Sequence, residues 1–176
     1  MGIDGFHAAA PNLCNVCIDK ASGDEYAGRL YHYYQLQPET FSSQYELIQR
    51  IEALCDRLNY PQSSDKIRSF LSSGEAQQDQ RETKVERCMS KEKLMEPKGE
   101  KATFVVHVMY RQNATWQGSV TWAEKKQTAN FRSALELIKL MDSAVEATAM
   151  ADGPSAEPEV PPAVRQEKKT KRTQKK

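Results

Sequence analysis

The chain reads as an α+β protein built from two ββα repeats. Their four strands form one mostly antiparallel sheet, with the two long helices on one face. Two observations lead there. From Thr103 to Glu146, two segments of period-two alternation are followed by a switch to helical spacing. A fainter copy of that stretch lies upstream, and a gapless shift of 90 residues superposes the two. The shift pairs Phe41 with Phe131, Ser43 with Ser133, Glu46 with Glu136, Leu47 with Leu137 and Ile48 with Ile138, giving the pattern F-x-S-x-x-E-L-I. Gly28/Gly118, Val16/Val106 and Gln37/Gln127 are further identities. The alternative is two unrelated amphipathic helices that share a common residue pattern.

Residues 1–11 carry two Gly, a Pro and little periodicity, and read as a loose arm. Residues 12–72 hold the first repeat. Leu13 to Lys20 is a short strand, Ala21 to Glu25 a turn in which Gly23 is free to take positive φ, and Tyr26 to Tyr34 an aromatic-rich strand. Pro38 stops that strand. A helix then runs from about Ser42 to Leu58, with an apolar stripe of Leu47, Ile48, Ile51, Leu54, Cys55 and Leu58. Asn59-Tyr60-Pro61 ends it. Ser63 to Leu71 suits a two-turn helix capped by Asp65.

Residues 73–101 turn to Gln, Glu, Lys and Arg, and read as a mobile linker with some helix. Residues 102–150 hold the second repeat, packed with the first as one domain. Phe104 to Tyr110 and Trp116 to Trp122 are its strands, and Glu124 to Asn130 a polar turn. The helix begins at Phe131, with Leu135, Ile138, Met141 and Val145 as its stripe and Asn130 or Ser133 as its cap. Residues 151–176 are Pro-rich, then basic, and read as a disordered tail.

Of 176 residues, 39% are hydrophobic, and the deficit sits in the linker and the tail. The net charge of +1 hides a segregation. Arg165 to Lys176 carry seven Lys or Arg against one Glu, so the body is −5. A mildly acidic body is not the footprint of a duplex-DNA binder. No apolar run suffices to span a membrane, and no charged-then-apolar leader opens the chain, so a cytoplasmic location with reduced thiols is expected.

The cysteines are Cys14, Cys17, Cys55 and Cys88. Cys14-Asn-Val-Cys17 has zinc-ligand spacing, but no second pair accompanies it, and residues three apart on a strand point to opposite faces. Core Cys14 and outward Cys17 are the expectation, with no metal or cofactor. None of the histidines, His7, His32 and His107, neighbours a nucleophile motif, and no phosphate loop occurs. Glu46 and Glu136 recur early in each helix, where an acid favours the dipole. The reading leans away from an enzyme.

If Val16, Ile18, Leu30, Val106, Val108, Val120 and Trp122 face the helices, the other sheet face shows Arg29, Tyr31, Tyr33, His107, Met109 and Arg111. Aromatic and basic side chains on an open sheet suit a protein interface, or stacking on single-stranded nucleic acid. The linker or a second copy of the chain are the other candidates to cover that face.

Tyr110-Arg-Gln-Asn-Ala-Thr-Trp-Gln-Gly118 with Phe131-Arg-Ser-Ala-Leu-Glu-Leu-Ile-Lys139 resembles a family of small uncharacterised bacterial proteins, associated with Gram-positive gut bacteria and with mobile elements. Gly28-Arg-Leu-Tyr31 and Tyr60 to Phe70 resemble it more loosely. The resemblance implies a bacterial cytoplasmic origin and no activity to carry over. The expected function is a non-enzymatic interaction protein, binding a protein partner through the open sheet face or pairing as a homodimer. The alternatives are a single-stranded nucleic-acid binder aided by the basic tail, and an anti-CRISPR-like inhibitor of a nucleic-acid-handling complex.

Overall fold

The structure, a computed structural model, describes residues 10–23, 25–63, 85–113 and 115–151. Most of the N-terminal arm, the short helix expected after Ser63 and the basic tail lie outside the described residues.

The fold is α+β, but among the described residues the sheet has six antiparallel strands, not four. They are β1 (Cys14–Ser22), β2 (Glu25–His32), β3 (Glu39–Phe41), β4 (Ala102–Tyr110), β5 (Gln117–Trp122) and β6 (Gln127–Phe131), in the order β3-β2-β1-β4-β5-β6. The helices are α1 (Gln44–Leu58), the single turn α2 (Lys91–Met95) and α3 (Ala134–Ala151). The repeat is therefore βββα. The missed strands are short edge strands. Glu39 and Thr40 look like a helix lead-in, and in the expected polar turn only Ala129 and Phe131 of β6 meet the core. Phe131 ends a strand and does not begin a helix.

The 90-residue offset holds throughout the pairing. Cys14 faces His32 as Phe104 faces Trp122, and Gly28 faces Phe41 as Gly118 faces Phe131. The same bulge interrupts both hairpins, at Asp19 and at Met109. Where β1 meets β4, Asn15 lies opposite Val105, its own counterpart 90 positions on. The two halves are thus related by a local two-fold through the centre of the sheet.

The shared sequence block has a local physical cause. Phe41 and Phe131 are buried at the ends of β3 and β6. Ser43 and Ser133 cap the helices by accepting from the amides of Glu46 and Glu136, at 3.2 and 3.1 Å. Each glutamate reaches back to the amide of residue 42 or 132, one position before the cap, in a variant of the capping box. Ser133 is therefore the cap, and Asn130 belongs to β6. Asn59, in the left-handed region at φ 47°, closes α1.

Both long helices lie on one face, in one core with Cys14, Val16, Ile18, Leu30, Phe104, Val106, Val108 and Val120. The α1 stripe is Leu47, Ile51, Leu54 and Cys55, as the spacing indicates. On α3 the stripe is Leu137, Met141 and Ala144, while Leu135 is 61% exposed. The helix begins at Ala134, three residues later than expected, and Leu135, about 200° around it from the buried Leu137, points away from the sheet.

The second face is not open over β1 and β2. Residues 85–101, expected as a mobile linker with some helix and as one candidate to cover this face, hold α2, and Leu94 is fully buried with Leu13 and Tyr33. Asn15 of β1 donates from Nδ2 to the carbonyls of Leu94 and Pro97, at 2.8 and 3.0 Å. The amides of Cys88 and Met89 donate to the Tyr33 carbonyl. A buried leucine, a buried asparagine and these backbone bonds seat a segment too short to show periodicity.

Candidate binding groove

The six residues expected to share one surface do not form an open one: Arg29, Tyr31 and Tyr33 lie together, but Tyr33 and His107 are buried and Arg111 is elsewhere. Arg29 is held by Asp19 through Nε and Nη2, at 2.7 and 2.8 Å, and also donates to the Tyr31 hydroxyl and the Lys98 carbonyl. Its hydrogen bonds keep the Asp19 carboxyl below the usual range. Tyr31 is half-buried, and Tyr33 is 1% exposed beneath the Arg87 guanidinium, 4.5 Å from the ring centre. His107 is buried and Met109 sits half-buried in the bulge. Arg111 is on the helix side, because the bulge at Met109 reverses the alternation. There it pairs with Asp56 of α1 and donates to the Pro61 carbonyl at 2.8 Å.

Cys14 and Cys17 point to opposite faces. Cys14 lies in the helix-side core, and burial pushes its thiol well above the ordinary value. Cys17 is not outward-exposed as expected but fully buried, and burial raises it to about 11. Burial likewise raises Cys55. Thiols held protonated in this way are poor nucleophiles and poor metal ligands. Among the described residues no three His, Cys, Asp or Glu converge to hold a metal ion, and no helix is long and apolar enough to cross a membrane.

What the structure does present is a groove between β6 and α3, about 410 Å³ in volume. Its floor is Phe104, Val120 and Trp122, its walls are Ala129 of β6 and Leu140 and Ala144 of α3, and Gln127, Thr128 and Ser143 also line it. None of these side chains is charged. Lys125 approaches the Trp122 ring at 5.9 Å from the turn that precedes β6.

The equivalent place in the first half is filled. Position by position, Trp122 corresponds to His32, Ala129 to Glu39, Leu140 to Arg50 and Ala144 to Leu54. His32, 1% exposed, lies 3.0 Å from Glu39, which also pairs with Arg50; Arg50 in turn pairs with Glu46. The Tyr34 amide donates to His32 Nδ1 at 3.2 Å, which puts the ring proton of the neutral form on Nε2, toward Glu39. Burial lowers the His32 pKa, against the opposing pull of Glu39. One half thus packs its own polar side chains where the other, with alanine at positions 129 and 144, leaves an apolar trough.

Sequence reading placed Val120 and Trp122 toward the helices but missed Ala129, Leu140, Ser143 and Ala144 as a site. The signal was present in the differences between the aligned repeats, above all Leu54 against Ala144 and Glu39 against Ala129.

No family model, curated protein or solved structure matches the chain.

Proposed function

We propose that the chain is a non-enzymatic protein-binding module whose working surface is the trough between β6 and α3. One observation carries this reading: two halves with the same pairing, bulges and caps differ at this place, one filled and the other open. Beside the trough runs β6, the last strand of the sheet, and among the described residues no strand pairs with its outer side. An apolar trough along an unpaired edge is a combination that monomeric proteins ordinarily cover or use. The sheet-face route weakens, because residues 85–101 occupy β1 and β2 and Tyr33 is buried. A bacterial, mobile-element setting and an inhibitory role in a nucleic-acid-handling complex remain compatible with a protein binder of this kind.

The test is a peptide-display selection on the full chain, with the Ala144→Leu variant as counter-target. Leucine at this position reproduces Leu54 of the first half and fills the trough. Ligands enriched on the wild type and rejected by the variant support the reading. Enrichment that is equal on both, or none at all, refutes it.

A further inference from the structure

We infer that the occupant of the trough is an extended peptide segment of a partner protein, added to β6 as a seventh strand, with an apolar side chain seated over Trp122 and acidic residues at the Lys125–Lys126 end. This rests on the trough being the working surface, and adds the class of ligand. Three features of the structure specify it.

The first is the edge. β6 pairs with β5 through five consecutive residue pairs, Gln127 to Phe131. In such a ladder, alternate residues of the outer strand direct their N–H and C=O groups away from the sheet. An extended backbone satisfies those groups by continuing the ladder.

The second is the shape beside the edge. Side chains of an added strand alternate, so every second one projects to the helix side. There it meets Trp122 and Phe104 below, with Ala129 and Ala144 as walls small enough to admit a leucine, isoleucine or phenylalanine. The lining has no charge to satisfy one, so an ionised side chain is rejected from the seat.

The third is charge. Lys125 and Lys126 are exposed where β6 begins, and no carboxylate among the described residues pairs with either. Arg132 lies exposed at the other end, only loosely paired with Glu136 at 3.7 Å. The edge is therefore bracketed by cations, which favours acidic flanks on the ligand. The same bracket disfavours a second copy of the chain, since β6 against β6 about Ala129 sets Lys126 opposite Arg132. The chain's own tail contains Glu157-Pro-Glu159-Val160, but its prolines lack the amides a ladder needs.

The experiment uses the full chain and a fluorescein-labelled peptide, Asp-Glu-Thr-Leu-Thr-Leu-Thr-Ser, read by polarisation. Three variants of the probe accompany it: alternate backbone amides methylated, the two acids replaced by lysines, and both leucines replaced by serines. Expected are binding by the parent peptide, and losses of tenfold or more with each modified probe, with Lys125→Glu/Lys126→Glu and with Ala144→Leu. If trough-dependent ligands exist but bind equally with methylated amides, strand addition is overturned while the trough stands as a binding surface. Equal binding of the lysine probe overturns the acidic preference. A tenfold gain in affinity on deleting residues 152–176 makes the tail the occupant and overturns the outside partner. Dissociation of a dimer by the peptide does the same in favour of a second copy.

Discussion

Replacing Gly28 or Gly118 by alanine tests whether the repeat is held by a close backbone approach. A Cβ at Gly28 would lie 1.9 Å from the Cys17 carbonyl oxygen, and one at Gly118 would lie 2.1 Å from that of His107. Ordinary contact begins near 3.4 Å, so the strands must part by about 1.5 Å at Gly28 and about 1.3 Å at Gly118. Both obstructing atoms are backbone, so no rotamer change relieves them. At Gly118 the Phe131 ring adds a second obstruction, 2.8 Å from the built Cβ. Overpacking of this kind costs about 1–3 kcal/mol, and two disrupted ladder hydrogen bonds add about 1 kcal/mol each. Either substitution is expected to remove about 4 kcal/mol, a large share of the roughly 5–15 kcal/mol typical of a domain. Urea unfolding followed by tryptophan fluorescence measures it. A loss below about 1 kcal/mol at either position refutes the reasoning, since the β1–β2 and β4–β5 hairpins then tolerate separation that the geometry forbids.

Tyr33→Ala is expected to destabilise by about 3 kcal/mol, as a buried aromatic, while Tyr33→Phe is nearly neutral because the hydroxyl has no hydrogen-bond partner among the described residues; thermal melts separate the two. Ser43→Ala and Ser133→Ala should each cost about 1 kcal/mol, and equally, because the capping boxes match; unequal urea midpoints would break that equivalence. The depressed pKa of His32 means the unfolded chain takes up a proton that the folded protein resists. Its contribution to stability is full above a pH of about 6.5, the unfolded value, and falls as the pH drops through the folded pKa. His32→Gln should flatten urea midpoints between pH about 7.5 and 5. A slope unchanged in the variant would assign the effect to other groups.

Much of the fold was legible because its causes are local. The capping box, the helical stripe of α1 and the alternation of β1, β2, β4 and β5 each depend on residues a few positions apart. The block F-x-S-x-x-E-L-I repeats because the same turn from edge strand to capped helix is built twice. The glycines before it repeat for a different reason, the close approach of a neighbouring strand opposite the bulge.

The edge strands were not legible, since β3 is three residues long and most of β6 is polar. An edge strand draws its stability from the neighbour it pairs with, which its own sequence does not record. Leu94 was equally silent, because a single buried anchor has no period. The bulge at Met109 undid the assignment of Arg111 by shifting the alternation one residue, an event that only the strand register reveals.

From sequence alone came the α+β class, the two-fold repetition at an offset of 90 and the absence of familiar catalytic motifs, since composition and short-range spacing determine these. Tertiary structure decided the pairing of β1 with β4 about Asn15 and Val105, the covering of the second face by residues 85–101 and the trough between β6 and α3. Each of these depends on which distant side chains meet. The trough exists because Ala144 and Ala129 stand where the first half has Leu54 and Glu39, a difference in volume that acquires meaning only once the two halves are folded alike.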